Sequence, residues 1–85
     1  MKEKIFIENK KEPVLGQPQY CVGDLVRIKV GETDMDGNVY IVDSYGTFEQ
    51  KVEPSYDVMM SGEFGLYKHI RESEIIGKYE WIKFK

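Results

Sequence analysis

The chain has few of the features that secreted, zinc-binding or membrane-spanning proteins depend on. It has one cysteine, Cys21, in 85 residues. No intrachain disulfide can form, and no cysteine cluster can hold zinc. A secreted domain this small ordinarily carries several bridges. Long apolar runs are also missing. The opening segment Met1–Glu8 contains only the apolar triplet Ile5-Phe6-Ile7. That is too short for a signal peptide and far below the roughly 20 residues of a membrane span. The expectation is a soluble, cytoplasmic protein. Nor is there an excess of positive charge. Twelve Lys and Arg stand against fifteen Asp and Glu, a net charge of −3. This balance disfavours a generic binder of nucleic acid or anionic membranes, which needs a cationic field. Extended 3.6-residue periodicity is absent, so no helical bundle is expected.

What is present reads as a small globular domain. Hydrophobic residues make up 41% of the chain and charged residues 32%, which is too apolar for wholesale disorder. At this length the core is thin, with about 60–65% of the unfolded surface hidden. Short apolar bursts of period two alternate with turn residues. Ile5-Phe6-Ile7 predicts a short edge strand, and Asn9 to Gln19, carrying Pro13, Gly16 and Pro18, predicts an extended linker. Leu25–Val30 predicts a half-buried strand with Val26, Ile28 and Val30 on one face and Arg27 and Lys29 on the other. Gly31–Asn38 predicts a polar loop. Within it Asp36-Gly37 is a hairpin signal, because glycine accepts positive φ at little cost. Val39–Val42 reads as a central strand and Thr47–Glu53 as a hairpin arm or edge strand. Tyr56, Val58 and Met60 share one face of the next strand. Ser61–Gly65 reads as a tight turn and Leu66–Lys68 as a short strand. Ile70–Ile76 predicts a single 3₁₀ or α turn ended by Gly77, and Tyr79–Phe84 closes the chain as a strand.

Five or six short antiparallel strands in so short a chain predict an all-β fold that curls into a small barrel, which also covers its edges. Residues 1–19 are expected as an N-terminal strand and linker, and residues 20–85 as the barrel. Val22-Gly23-Asp24-Leu25-Val26-Arg27-Ile28 resembles the opening strand of SH3-like barrels. Gly37–Val42, Tyr56–Met59 and Leu66-Tyr67 resemble their second, third and fourth strands. The turn around Glu72–Ile75 sits where that fold places a 3₁₀ turn before its last strand. The likeness covers Tyr20 to Tyr79. Proline-peptide-binding SH3 domains carry an Ala-Leu-Tyr-Asp-Tyr motif that this chain lacks. KOW-type barrels, which bind RNA or polymerase, are usually basic. The chain is also similar to small acidic proteins of prophages and mobile elements.

Several constellations carry chemistry. Glu32, Asp34, Asp36 and Asn38 alternate along the predicted loop, with Asp43 beyond, and resemble the oxygen-ligand spacing of a calcium loop. Glu32 and Asp43 stand where a calcium loop normally has Asp and Glu. Cys21 and His69 are the available nucleophile and base, and no third orienting group accompanies them. No catalytic residue and no cofactor is expected. The aromatics outnumber what a small core hides, and Tyr45, Phe48 and Tyr67 are the candidate contact surface for a partner protein. Arg27, Lys29, Lys51, Lys68 and Arg71 would share a barrel face and form the alternative, a nucleic-acid surface. The basic residues at the front of the chain alternate with Glu3, Glu8 and Glu12, which weakens their field. The function expected is a non-enzymatic protein–protein interaction module, monomer or homodimer, acting on a host protein or on a second copy.

Overall fold

In a computed structural model, which describes residues 2–47, 52–62 and 65–83, the chain is all-β. The strands are β1 (Lys2–Glu8), β2 (Leu25–Val30), β3 (Thr33–Asp43), β4 (Ser55–Met60), β5 (Leu66–Arg71) and β6 (Ile75–Lys83). One 3₁₀ turn, Glu72–Glu74, precedes β6. All strand pairs are antiparallel, in the order β1-β6-β2-β3-β4-β5.

The strand phases follow the apolar alternation. Val26 and Ile28 of β2, Val39 of β3, Tyr56, Val58 and Met60 of β4, and Ile75 of β6 are buried together with Tyr20. Val30, Met35, Val42, Tyr67 and Ile70 pack around them. The sheet thus has a core face and an outer face, and it bends over its own core. Tyr20 and Tyr56 meet edge to face, with ring centroids 5.6 Å apart, an arrangement that adds to burial alone.

The sheet does not close into a barrel, which corrects the expectation. Among the described residues β5 pairs only with β4, and β1 only with β6. Strand β6 explains why. It begins at Ile75, four residues earlier than the sequence suggests, and runs through Gly77. Its first part pairs with β2 through Ile75, Gly77 and Lys78. From Tyr79 to Lys83 it pairs only with β1. The end of β6 therefore forms a two-stranded ribbon with β1 and does not meet β5.

The segment Gly31–Asn38 is not a loop. The β2–β3 turn falls at Gly31-Glu32, where Gly31 adopts φ 63°, and β3 has already begun at Thr33. Asp34 stands opposite Lys29, and Asp36 opposite Arg27. The alternating acids face cations on the neighbouring strand, which supplies the cross-strand pairing that a strand rich in Asp needs. Gly37 lies in mid-strand, packed against Val58, Met59 and Met60 of β4. A bulge between Val39 and Ile41 leaves Tyr40 and Ile41 exposed, where the unbroken apolar run Val39–Val42 suggests a central strand.

The linker is tied down by a buried acid that the sequence did not single out. Glu72 is fully buried. Its Oε1 accepts the Gln19 backbone N–H at 2.9 Å and the Tyr56 hydroxyl at 2.5 Å. Its Oε2 accepts the Gln19 side-chain amide at 3.0 Å. Buried carboxylates persist where several donors satisfy them. Burial, then the bond to Glu72, pushes the Tyr56 phenol well above its usual range. Tyr20 is pushed up to about 12 by burial and the nearby Glu72 charge. Among the described residues the Tyr20 hydroxyl has no partner at full hydrogen-bond geometry, although the Asn9 side chain is close enough to offset part of that rise.

Candidate interaction surface

The ribbon of β1 and β6 is stiffened from the outer face. Phe6 stands opposite Tyr79, and their rings meet edge to face with centroids 5.2 Å apart. Gly77 makes this possible. A Cβ there would collide with the Ile7 carbonyl, the Phe6 ring and the Glu8 backbone, so only glycine admits β1 at this distance. The Arg27 guanidinium lies over the Phe6 and Tyr79 rings, 4.8 and 5.4 Å from their centroids. Arg27 also bonds the Tyr79 hydroxyl. Arg27 Nε donates to Asp36 Oδ1 at 3.0 Å, and the Tyr79 hydroxyl donates to Asp36 Oδ2 at 2.9 Å. The Lys4 ammonium sits 4.6 Å from the Tyr79 ring. These contacts link β1, β6, β2 and β3 into one polar–aromatic frame. The bond to Asp36 raises the Arg27 pKa further. Burial and Asp36 together raise that of Tyr79.

Beyond this frame the ribbon exposes large apolar side chains. Ile5 is 36% exposed, Ile7 44%, Ile82 38% and Trp81 61%. The register puts Ile5, Ile7 and Ile82 on the core face of the ribbon, past the point where the core covers it. Trp81 is on the outer face, opposite Lys4. A notch of about 410 Å³ lies where β2 leaves β6 unpaired, lined by Leu25, Asn38, Tyr79, Glu80 and Trp81 among others. A second recess, about 360 Å³, runs from Ile7 and Asn9 to Tyr20 and Lys78. At Lys78 the ammonium is held 3.1 Å from Glu80 and 3.9 Å from Asp24, which raises its pKa.

The residues singled out from sequence are scattered. Tyr45 is exposed in the turn after β3, its ring beside Gly16. Tyr67 packs against the core, and Phe48 lies outside the described residues. Arg27 and Lys29 on β2 are separated from Lys68 and Arg71 on β5 by two intervening strands. Arg27 is bonded to Asp36 and Arg71 to Glu74 at 3.1 Å, and Lys51 lies outside the described residues. Glu32 is in a turn, while Asp34, Asp36 and Asn38 lie along β3. They do not wrap a common centre, and among the described residues no three His, Cys, Asp or Glu side chains converge as metal ligands. Cys21 is exposed in the turn before β2, where Asp24 Oδ2 accepts its backbone N–H at 2.9 Å. His69, at φ 61°, is on β5 with its N–H bonded to Asp57 at 3.0 Å.

Sequence reasoning marks Ile5–Ile7 and Trp81–Phe84 as edge strands able to pair between copies, but not that the two segments pair with each other as one ribbon. Period-two alternation does not reveal which apolar face extends past the core. The unusual density of Ile, Phe and Trp at both ends of the chain was the available signal. Among the described residues no helix is long and apolar enough to cross a membrane. Compared with known proteins, the chain matches no family model, no curated protein and no solved structure.

Proposed function

We propose that this protein is a non-enzymatic protein-interaction module that offers the β1–β6 ribbon as its contact surface. The observation that carries this reading is the exposure of Ile5, Ile7 and Ile82 on one face and of Trp81 on the other of a ribbon held rigid by the Arg27–Asp36–Tyr79–Phe6 frame. Exposed apolar side chains on a preorganised support bury area at low entropic cost, as interface anchors do. The β2–β5 meander, the 3₁₀ turn and the return of β6 to β2 support an opened SH3-like barrel as the scaffold. Cations engaged by acids support a protein partner over nucleic acid. Arg27 and Arg71 are paired, and Lys29 stands opposite Asp34.

A benzophenone-bearing amino acid in place of Trp81 tests the reading. On irradiation it yields a covalent adduct with a protein, while the same group in place of Val52, which is exposed in the turn before β4, yields none. Equal labelling at the two positions, or a salt-sensitive mobility shift with DNA or RNA in place of any adduct, would overturn it.

A further inference from the structure

We propose that the chain self-associates by pairing β1 with β1 of a second copy, antiparallel and centred on Phe6, so that two sheets join into one. This rests on the ribbon as the contact surface and names its partner.

The phase of the β1 backbone comes first. The Asn9 N–H donates to the Ile76 carbonyl at 2.9 Å, one step beyond the Glu8–Gly77 pair. Hydrogen-bonded pairs alternate along an antiparallel ladder. Ile7, Ile5 and Glu3 therefore direct their backbone groups toward β6, and the Ile7 carbonyl indeed lies against Gly77. Lys4, Phe6 and Glu8 direct their N–H and C=O groups to the open edge. An edge of this kind is a template for strand addition.

Side-chain chemistry then selects the occupant and the register. A two-fold axis normal to the sheet keeps each face continuous and sets outward-directed residues opposite one another. Centred on Phe6, Lys4 faces Glu8 of the second copy, Ile5 faces Ile7, Phe6 faces Phe6 and Glu3 faces Asn9. Every residue from Lys4 to Glu8 meets its complement, acid against base and apolar against apolar. Centred on Ile5, Glu3 would face Ile7. Centred on Lys4, two ammonium groups would face each other, which destabilises a cross-strand pair. The chosen register supplies about six main-chain hydrogen bonds and covers Ile5 and Ile7. The opposite edge of the sheet does not continue the assembly, because β5 is broken by a bulge against β4 and by the positive φ of His69. The product is a closed pair and not a fibre.

Sedimentation equilibrium of the full chain tests this. The mass rises from that of one 9.9 kDa chain toward twice that value with concentration. Lys4→Pro removes an outward N–H that makes no bond to β6. The variant stays at one chain mass throughout, with the far-ultraviolet circular dichroism of the native protein, and melts without the dependence on concentration that association gives the native chain. Register is read by disulfide capture with Cys21→Ser as background. A mixture of Ile5→Cys and Ile7→Cys chains gives mainly the mixed disulfide, because these residues face one another at a non-hydrogen-bonded pair. If Lys4→Pro fails to fold, the capture experiment still decides. A mass fixed at one chain, or predominant capture of Ile5→Cys with itself, overturns the proposal. A monomer whose Trp81 photo-probe labels a different protein overturns self-pairing and leaves the function standing.

Discussion

Replacing Glu72 by alanine removes the acceptor that joins the linker, β4 and the 3₁₀ turn. Three donors lose their partner: the Gln19 backbone N–H, the Gln19 side-chain amide and the Tyr56 hydroxyl. A buried donor left unpaired costs about 1–3 kcal/mol. The Gln19 amide is half-buried and can turn to water. Tyr56, 1% exposed, cannot. The expected loss is about 3–5 kcal/mol, from the unpaired Tyr56 hydroxyl and Gln19 N–H together with the cavity left by the side chain. For an 85-residue chain the total stability is roughly 4–13 kcal/mol at 0.05–0.15 kcal/mol per residue. Glu72→Ala therefore removes a large fraction of it and lowers Tm by on the order of 15 °C or more. Glu72→Gln keeps the shape but turns one amide N–H toward the Gln19 donor, and costs about 1–2 kcal/mol. Urea denaturation followed by circular dichroism measures both. A cycle with Tyr56→Phe should show a coupling above about 1 kcal/mol. If Glu72→Ala lies within about 0.5 kcal/mol of the native protein, the range of an ordinary surface substitution, the buried carboxylate is not what fastens the linker.

Other outcomes follow from the same structure. Gly77→Ala drives a methyl group into the Ile7 carbonyl and Phe6 ring. It should cost about 1–3 kcal/mol and speed amide exchange in β1 selectively, as hydrogen exchange would read. Burial raises the Tyr79 pKa and Asp36 adds to the rise; Asp36→Ala removes the second contribution. The phenol should then titrate at lower pH in an NMR titration, with at most a modest loss of stability, because the pair is about one-third exposed. In alkali the folded Tyr20 pKa of about 12 lies above the ordinary 10.0, so the folded state favours the neutral phenol. Its stabilisation is complete below pH 10 and is lost as pH rises from 10 to about 12. Tyr56 is shifted the same way. Both should ionise together with unfolding in an absorbance titration. A Tyr20 or Tyr56 phenol that ionises near 10 while the protein is still folded would contradict its burial.

How much of this was legible from sequence depended on the range of the determining contact. β2 and β4 were readable because Val26 and Ile28, and Tyr56, Val58 and Met60, alternate with polar neighbours, and that alternation is local. Gly31–Asn38 was misread because Asp-Gly carries a turn signal and acids disfavour strands. The cross-strand cations Arg27 and Lys29 reversed that preference, and the register that brings them opposite is a tertiary fact. Gly77 read as a terminator, yet it serves a close approach by Phe6, 71 positions away in the chain. Glu72 gave no signal, since glutamate is seldom buried and its donors come from Gln19 and Tyr56. Closure failed for a similar reason. Whether β6 meets β5 depends on β1 capturing its second half.

The most direct measurement is residue-resolved amide exchange in β1 as a function of protein concentration. Ile5 and Ile7 bond to β6 and should be protected equally at all concentrations. Lys4, Phe6 and Glu8 point to the open edge and should gain protection as concentration rises. Fast exchange at these three amides, unchanged from dilute to concentrated protein, would contradict β1 as the docking edge.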